Sequence, residues 1–172
     1  MRLAVAAGLV LVVAIAVAVW DARDDDGGSG AHDGVVASVR DGDTVQLRDG
    51  ERVRLVQIDA PELGTGECYS AAALRELRRL LPAGTPVQVE PDLDRIDRFG
   101  RTLAYVDRDA TLVNLELVEL GAAAPWFFAG QLGRYADDLL DAAREAKAER
   151  RGLWSECRRT EFDPERRLSA LP

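Results

Sequence analysis

A chain of 172 residues with 47% apolar side chains has room for one ordinary domain and its core, which excludes a multidomain reading. Acids exceed bases to give a formal net charge of -8, and Lys147 is the only lysine beside many arginines. Bulk attraction to a polyanion is therefore excluded, and any polyphosphate substrate must be held by a local basic site or a bound cation.

Residues 3–20 are built of Leu, Val, Ala and Ile with one glycine, Trp20 and no charge. The run is just long enough to cross a bilayer, and Ala16-Val17-Ala18 offers a small-residue cleavage pattern, so residues 1–20 read either as a signal peptide or as a membrane anchor. Arg2 on one flank and Asp21, Asp24, Asp25 and Asp26 on the other predict an exported domain, secreted or held at the outer face of the membrane. Residues 21–34 are rich in Asp, Gly and Ser with no apolar period, which reads as a flexible acidic linker. His32, the only histidine, falls in that linker as a solvated side chain, leaving no histidine-based triad for the domain.

Short alternating runs follow at residues 35–39, 44–47 and 53–58, separated by the turn-forming dipeptides Asp41-Gly42 and Asp49-Gly50. Residues 70–81 change to helical spacing through Leu74, Leu77 and Leu81, with Ser70 as N-cap and Pro82 beyond the end. Strand-like text returns at 87–89 and 102–106, on either side of a charged loop at 92–101. Residues 111–120 fit either period, and Gly121 as a stop favours helix. Residues 135–151 form an Ala-rich helix with Gly152 as its cap. The tail, 158–172, is polar and reads as frayed.

The order of these elements predicts an α+β domain over residues 35–157, built on a small five-stranded barrel with about three helices. Cys68 and Cys157 are a disulfide candidate in an oxidising compartment. A metal pair lacks a nearby third ligand, and two buried thiols are the remaining alternative.

The charged residues gather in four short segments: Asp41-Gly42-Asp43-Thr44, the strand carrying Arg54, Asp59-Ala60-Pro61-Glu62, and Asp97-Arg98-Phe99-Gly100-Arg101. Each alone is a turn, a loop end or a solvated charge run. In this order they resemble the staphylococcal nuclease (thermonuclease) family, and the likeness continues through Leu103-Ala104-Tyr105-Val106, Val113-Asn114 and Gly121 to Gly152-Leu153-Trp154-Ser155. The resemblance implies an OB-type barrel that hydrolyses DNA and/or RNA with calcium. It further implies Asp43, Asp59 and the carbonyl of Ala60 as metal ligands, Glu62 as the group that activates water, and Arg54 and Arg101 as phosphate-binding arginines.

Those types suit the chemistry, because phosphodiester cleavage needs hard oxygen ligands for a cation, a base for water, and fixed donors for the transition state. Asp41, Asp97 and Gly100 fit structural roles at their turns. Trp126, Phe127 and Phe128 are either base-stacking aromatics or an apolar patch. The negative net charge favours flexible single strands as substrate. Two other readings compete: a catalytically silent barrel that binds nucleic acid or a protein, and a structural envelope protein. The retained site charges argue against both, and no protein partner is implied.

Overall fold

The computed structural model describes residues 30–161 and 163–171. The apolar run at 3–20 and the linker up to residue 29 lie outside the described residues, so the anchor, signal and linker expectations are carried forward as expectations.

Five antiparallel or closing strands form the barrel: β1 (His32–Val39), β2 (Thr44–Leu47), β3 (Arg52–Leu55), and, after a two-residue strand β4 (Ile58–Asp59) and helix α1 (Ser70–Leu80), β5 (Pro86–Ile96) and β6 (Thr102–Arg108). Their order is β3-β2-β1-β5-β6, and a parallel pairing of β3 with β6 closes the ring. Closure leaves these strands without a free edge, the solution an OB-type barrel uses. Alternation puts Val36, Val45, Val53, Leu55, Val89 and Val106 inside, all fully buried. Each such side chain contributes about 1.5–3 kcal/mol on leaving water.

The chain then runs through β7 (Thr111–Leu112), α2 (Val113–Glu119), β8 (Ala124–Pro125), a short 3-10 turn (Phe128–Gly130), α3 (Ala136–Ala148), α4 (Leu153–Glu156), β9 (Arg159–Glu161) and β10 (Ser169–Leu171). Helix α2 is fastened to the barrel by the buried Asn114, which accepts the Val106 N–H at 3.0 Å and donates to the Val56 carbonyl at 2.9 Å. A buried amide with partners on both sides holds helix and strand in one register.

The α+β barrel with its helices agrees with the expectation, and several boundaries do not. Strand β1 begins at His32, so the last residues of the presumed linker pair with β5, His32 opposite Val89 and Gly34 opposite Val87. His32 is not a free solvated side chain: its Nε2 lies 2.8 Å from a Glu51 carboxylate oxygen. The run 53–58 is not one strand, because Gln57 takes a left-handed backbone (φ 62) that turns the chain between β3 and β4. That turn is secured by the Gln57 side chain, which donates to the Gln131 carbonyl and accepts the Tyr105 hydroxyl.

Helix α1 is capped by Tyr69 at φ 70, while the Ser70 hydroxyl bonds the Glu67 carbonyl and caps nothing. Helix α3 ends at Ala148, before the predicted residue 151. Arg150 supplies the left-handed residue (φ 57), and the Arg151 N–H reaches back to the Ala146 carbonyl. Gly152 is needed for another reason: a Cβ there would stand 2.4 Å from the Gly121 carbonyl oxygen. Glycines at both positions let the start of α4 lie against the end of α2.

Cys68 and Cys157 form a disulfide with an S–S length of 2.05 Å. It ties the loop before α1 to the end of α4. Beyond it the described residues of the polar tail are folded and not frayed. Strands β9 and β10 pair antiparallel, with Ala170 opposite Thr160. The Phe127 N–H bonds the Pro164 carbonyl, the Leu168 N–H bonds Asp59, and the Cys68 N–H bonds the Ala170 carbonyl. Leu168 is buried against Ala124 and Leu153, and Ala170 is buried as well. Two apolar side chains and three hydrogen bonds made by its backbone are enough to seat a segment whose composition carries no period.

Candidate active site

The site is built on the β1–β2 turn, strand β3, and the end of β4. In the turn, Asp41 accepts the Asp43 N–H at 3.1 Å, and Gly42 leaves room where a Cβ would meet that of Ala60 at 2.6 Å. This directs Asp43 inward, where its carboxylate accepts the Thr44 hydroxyl at 3.0 Å and the Ala60 N–H at 3.2 Å. Asp59, at the end of β4, faces it.

Arg54 lies between the two. One guanidinium nitrogen is 2.9 Å from Asp43 and 2.8 Å from Asp59, and the other donates to the Leu55 and Ile58 carbonyls at 2.7 Å each. Only 4% of the arginine side chain is exposed. A guanidinium with four short contacts has no rotational freedom left, so the three side chains form a rigid buried unit.

That unit is short of positive charge. Burial pushes Asp59 up to about 6; Arg54 and Arg167 pull it down and Asp43 pushes it further up. Asp41 is likewise raised, first by burial and then by Asp43 and Glu62. Among the described residues no three carboxylate, histidine or cysteine side chains group closely enough to hold a metal by themselves. The donor set nevertheless fits a hard divalent cation: two buried carboxylates converge on one cationic atom, and the raised proton affinity of Asp59 marks a demand for further positive charge. Asp43, Asp59 and the Ala60 carbonyl are the residues that would hold it.

Glu62 and Arg101 flank this unit without touching it directly. The Glu62 N–H is bonded by a Glu67 carboxylate at 2.6 Å and its carbonyl accepts the Thr65 hydroxyl at 2.9 Å, which closes the loop and fixes the backbone of Glu62. Its side chain is 43% exposed. Arg101 is aimed by Asp97, which accepts the backbone N–H of Phe99 and both the N–H and the Nε of Arg101. Burial raises the Asp97 carboxyl, but these hydrogen bonds outweigh it and hold the group below the usual carboxylate range. Gly100, at φ 71, allows the tight turn. Arg101 reaches the Thr44 hydroxyl at 3.4 Å, and through Thr44 connects to Asp43.

A cavity of about 540 Å³ opens beside this cluster, walled by Arg54, Arg101, Arg167, Trp126, Phe128 and Gln131, among others. Arg54 is shared between the carboxylate pair and the cavity wall, so the two adjoin. Trp126 carries the Arg54 guanidinium 5.5 Å from its ring centre and that of Arg167 at 4.9 Å. Phe127, expected beside Trp126, points the other way into the core and is 3% exposed, whereas Phe128 is 66% exposed on the cavity side. The extended backbone at Phe127 alternates side chains, so Trp126 and Phe128 share a face and Phe127 cannot join them.

The sequence reading missed Arg167. It comes from the segment after Cys157, and its guanidinium lies 3.3 Å from Glu62 and 3.8 Å from Asp59. No motif or periodicity surrounds it that could have marked it.

A closed barrel with two buried carboxylates bridged by an arginine defines the class of protein. The family model described as staphylococcal nuclease homologue matches residues 52–156. This is more than half of the chain, which belongs to that family. The matched range includes Arg54, Asp59, Glu62 and Arg101, and leaves out Asp43 and Arg167. The chain is similar to the SPbeta prophage-derived endonuclease YokF of Bacillus subtilis (strain 168), with 33% identity over 107 residues, which are 59% of this chain and 36% of that protein. It thus spans about a third of that relative's length.

Proposed function

We propose that the protein is a calcium-dependent endonuclease that hydrolyses phosphodiester bonds of DNA and/or RNA, with a preference for single strands. The observation that carries this is the convergence of Asp43 and Asp59 on one guanidinium nitrogen, beside an arginine-walled cavity and within a chain of the nuclease family.

Asp43, Asp59 and the Ala60 carbonyl would hold the cation, an all-oxygen set suited to calcium. Calcium, when bound, supplies positive charge against the developing charge on the phosphate oxygens. Glu62, backbone-fixed and half exposed, accepts the proton of the attacking water as its oxygen forms the new bond to phosphorus. Arg101 donates to the nonbridging oxygens, and its rigid mounting by Asp97 means that little reorganisation is needed as charge builds, while Arg54, whose terminal N–H groups are taken by Asp43, Asp59 and the Leu55 and Ile58 carbonyls, contributes its fixed positive charge beside them. The bond to the leaving ester oxygen breaks, and that oxygen takes up a proton from solvent.

Trp126 and Phe128 present aromatic surface on which unpaired bases can stack, which supports the single-strand preference. The Cys68–Cys157 disulfide supports an oxidising, exported location, with residues 3–20 as either anchor or signal. The test is cleavage of heat-denatured and duplex DNA, and of RNA, in calcium and in chelator. Cleavage that needs calcium and is faster on denatured DNA is expected; equal rates on duplex would remove the single-strand preference.

A further inference from the structure

We infer that Arg167, delivered to the cavity by the folded segment after Cys157, is a further substrate-phosphate arginine, one that lies outside the matched family range 52–156. The inference rests on the nucleic-acid reading of the site proposed above.

Three hydrogen bonds made by its own backbone fix the segment, two to backbone groups and one to the Asp59 carboxylate. They join Pro164 to Phe127, Leu168 to Asp59 at 3.0 Å, and Ala170 to Cys68, and the last lies next to the disulfide that anchors the root of the segment. Arg167 falls between two of these pins. Its position therefore follows from the fold and not from chance contact of a loose end, which is the condition for a preorganised binding group. Its guanidinium lies 4.9 Å from the Trp126 ring centre, on the cavity wall that also carries Arg54 and Arg101.

Arg54, Arg101 and Arg167, three of the four arginines of this wall, differ in how firmly they are engaged. Arg54 has contacts of 2.7–2.9 Å and is 4% exposed. Arg101 is tied to Asp97 at 2.7 Å. Arg167 is 51% exposed and meets Glu62 and Asp59 only at 3.3 and 3.8 Å. A charge-assisted hydrogen bond is about 2.7–2.9 Å, and an exposed pair at longer range contributes little. Arg167 can therefore leave Glu62, itself 43% exposed, at little cost for a phosphodiester oxygen entering the cavity. In doing so it releases Glu62. A chain of net charge -8 has no bulk attraction for a polyanion, so each cation facing the cavity carries a large share of the affinity.

The test is binding of a fluorescent oligothymidylate to the full chain in chelator, where it is not cut, over a series of salt concentrations, compared with Arg167→Ala, Arg167→Lys, Arg167→Gln and Arg166→Ala. Arg166 is the control, because it is 81% exposed and pairs with Asp163. Loss of one single-strand phosphate contact lowers the slope of log affinity against log salt by about 0.7. Arg167→Ala is expected to show that drop and to weaken binding about tenfold at low salt. Arg167→Lys keeps the slope, and Arg166→Ala matches the parent. Should the alanine variant not fold, the lysine and glutamine variants decide the same question.

An unchanged slope in Arg167→Ala overturns the proposal, as does tighter binding, which would mark the contact to Glu62 as an inhibitory latch. The two readings fail separately. Calcium-dependent cleavage with an unchanged slope leaves the nuclease standing and removes Arg167. An Arg167-dependent slope without cleavage does the reverse, and no binding by the parent chain overturns Arg167 as well.

Discussion

Arg54 and Asp59 form an ion pair of 2.8 Å in which each side chain is 4% exposed. A buried pair of this kind gives little net stability, yet breaking it strands a charge. Arg54→Met leaves Asp59 and Asp43 facing each other without their cation. The variant is expected to lose about 3–5 kcal/mol of stability. Calcium is expected to raise its melting temperature more than that of the parent, because the two carboxylates then keep only the longer contact of Asp59 to Arg167, at 3.8 Å, as a positive partner. Calorimetry with and without calcium measures both.

Asp59 titrates near 6 in the folded protein, so a cation held by this carboxylate must displace its proton below that pH. Apparent calcium affinity is expected to rise about tenfold per pH unit up to roughly pH 6 and to level off above it. Titration calorimetry at pH 5, 6 and 7.5 shows the break. A flat affinity across that range would mean that Asp59 is not a ligand.

His32 provides a second pH effect, away from the site. Its hydrogen bond to Glu51, opposed by partial burial, raises its pKa above 6.5. A raised histidine pKa contributes stability that is complete below 6.5 and fades as pH climbs through the folded value. The parent is thus expected to be more stable than His32→Gln at pH 5.5, with the difference shrinking by pH 8, by denaturant unfolding at each pH.

The five charged residues of the site were legible because each sits in a short ordered motif whose spacing is set by a turn or a strand. Asp41, Asp97 and Gly100 were legible for the same reason, since their role is local. What the sequence hid was non-local or a matter of phase. Alternation says that Trp126 and Phe127 face opposite ways, but not which of them faces the core, and Phe127 does. The break at Gln57 lies within an apolar run and depends on Tyr105 and Gln131, both far along the chain. The segment carrying Arg167 has no period to read. It is seated by its own backbone N–H and carbonyl groups, bonded to Phe127, the Asp59 carboxylate and Cys68, and such backbone groups leave no signature in side-chain order.

The neighbouring phenylalanines make the phase testable. Phe127→Ala removes a buried ring and is expected to cost about 3–5 kcal/mol. Phe128→Ala alters a ring that is 66% exposed. It is expected to leave the melting temperature near that of the parent while raising KM for single-stranded DNA, as a lost stacking surface does. Melting curves and steady-state kinetics on both variants check the assignment.

The disulfide closes a sequence separation of 89 residues, for which chain entropy gives about 4–5 kcal/mol. The Cys68→Ser, Cys157→Ser double variant is expected to melt well below the parent. It is also expected to show faster hydrogen exchange at Leu168 and Ala170, because the root of their segment is then untied. Exchange measured at those amides separates this local release from a general loss of stability.

Cleavage of denatured DNA by the parent chain and by Glu62→Gln, each in calcium and in chelator, tests the central claim most directly. The side chain of Glu62 is 43% exposed, so the substitution spares the fold while removing the base. Activity in the parent that requires calcium, with a loss of at least about a hundredfold in the variant, is the predicted result. A folded parent that binds DNA and leaves it intact in calcium would contradict the account and make the barrel a binding module.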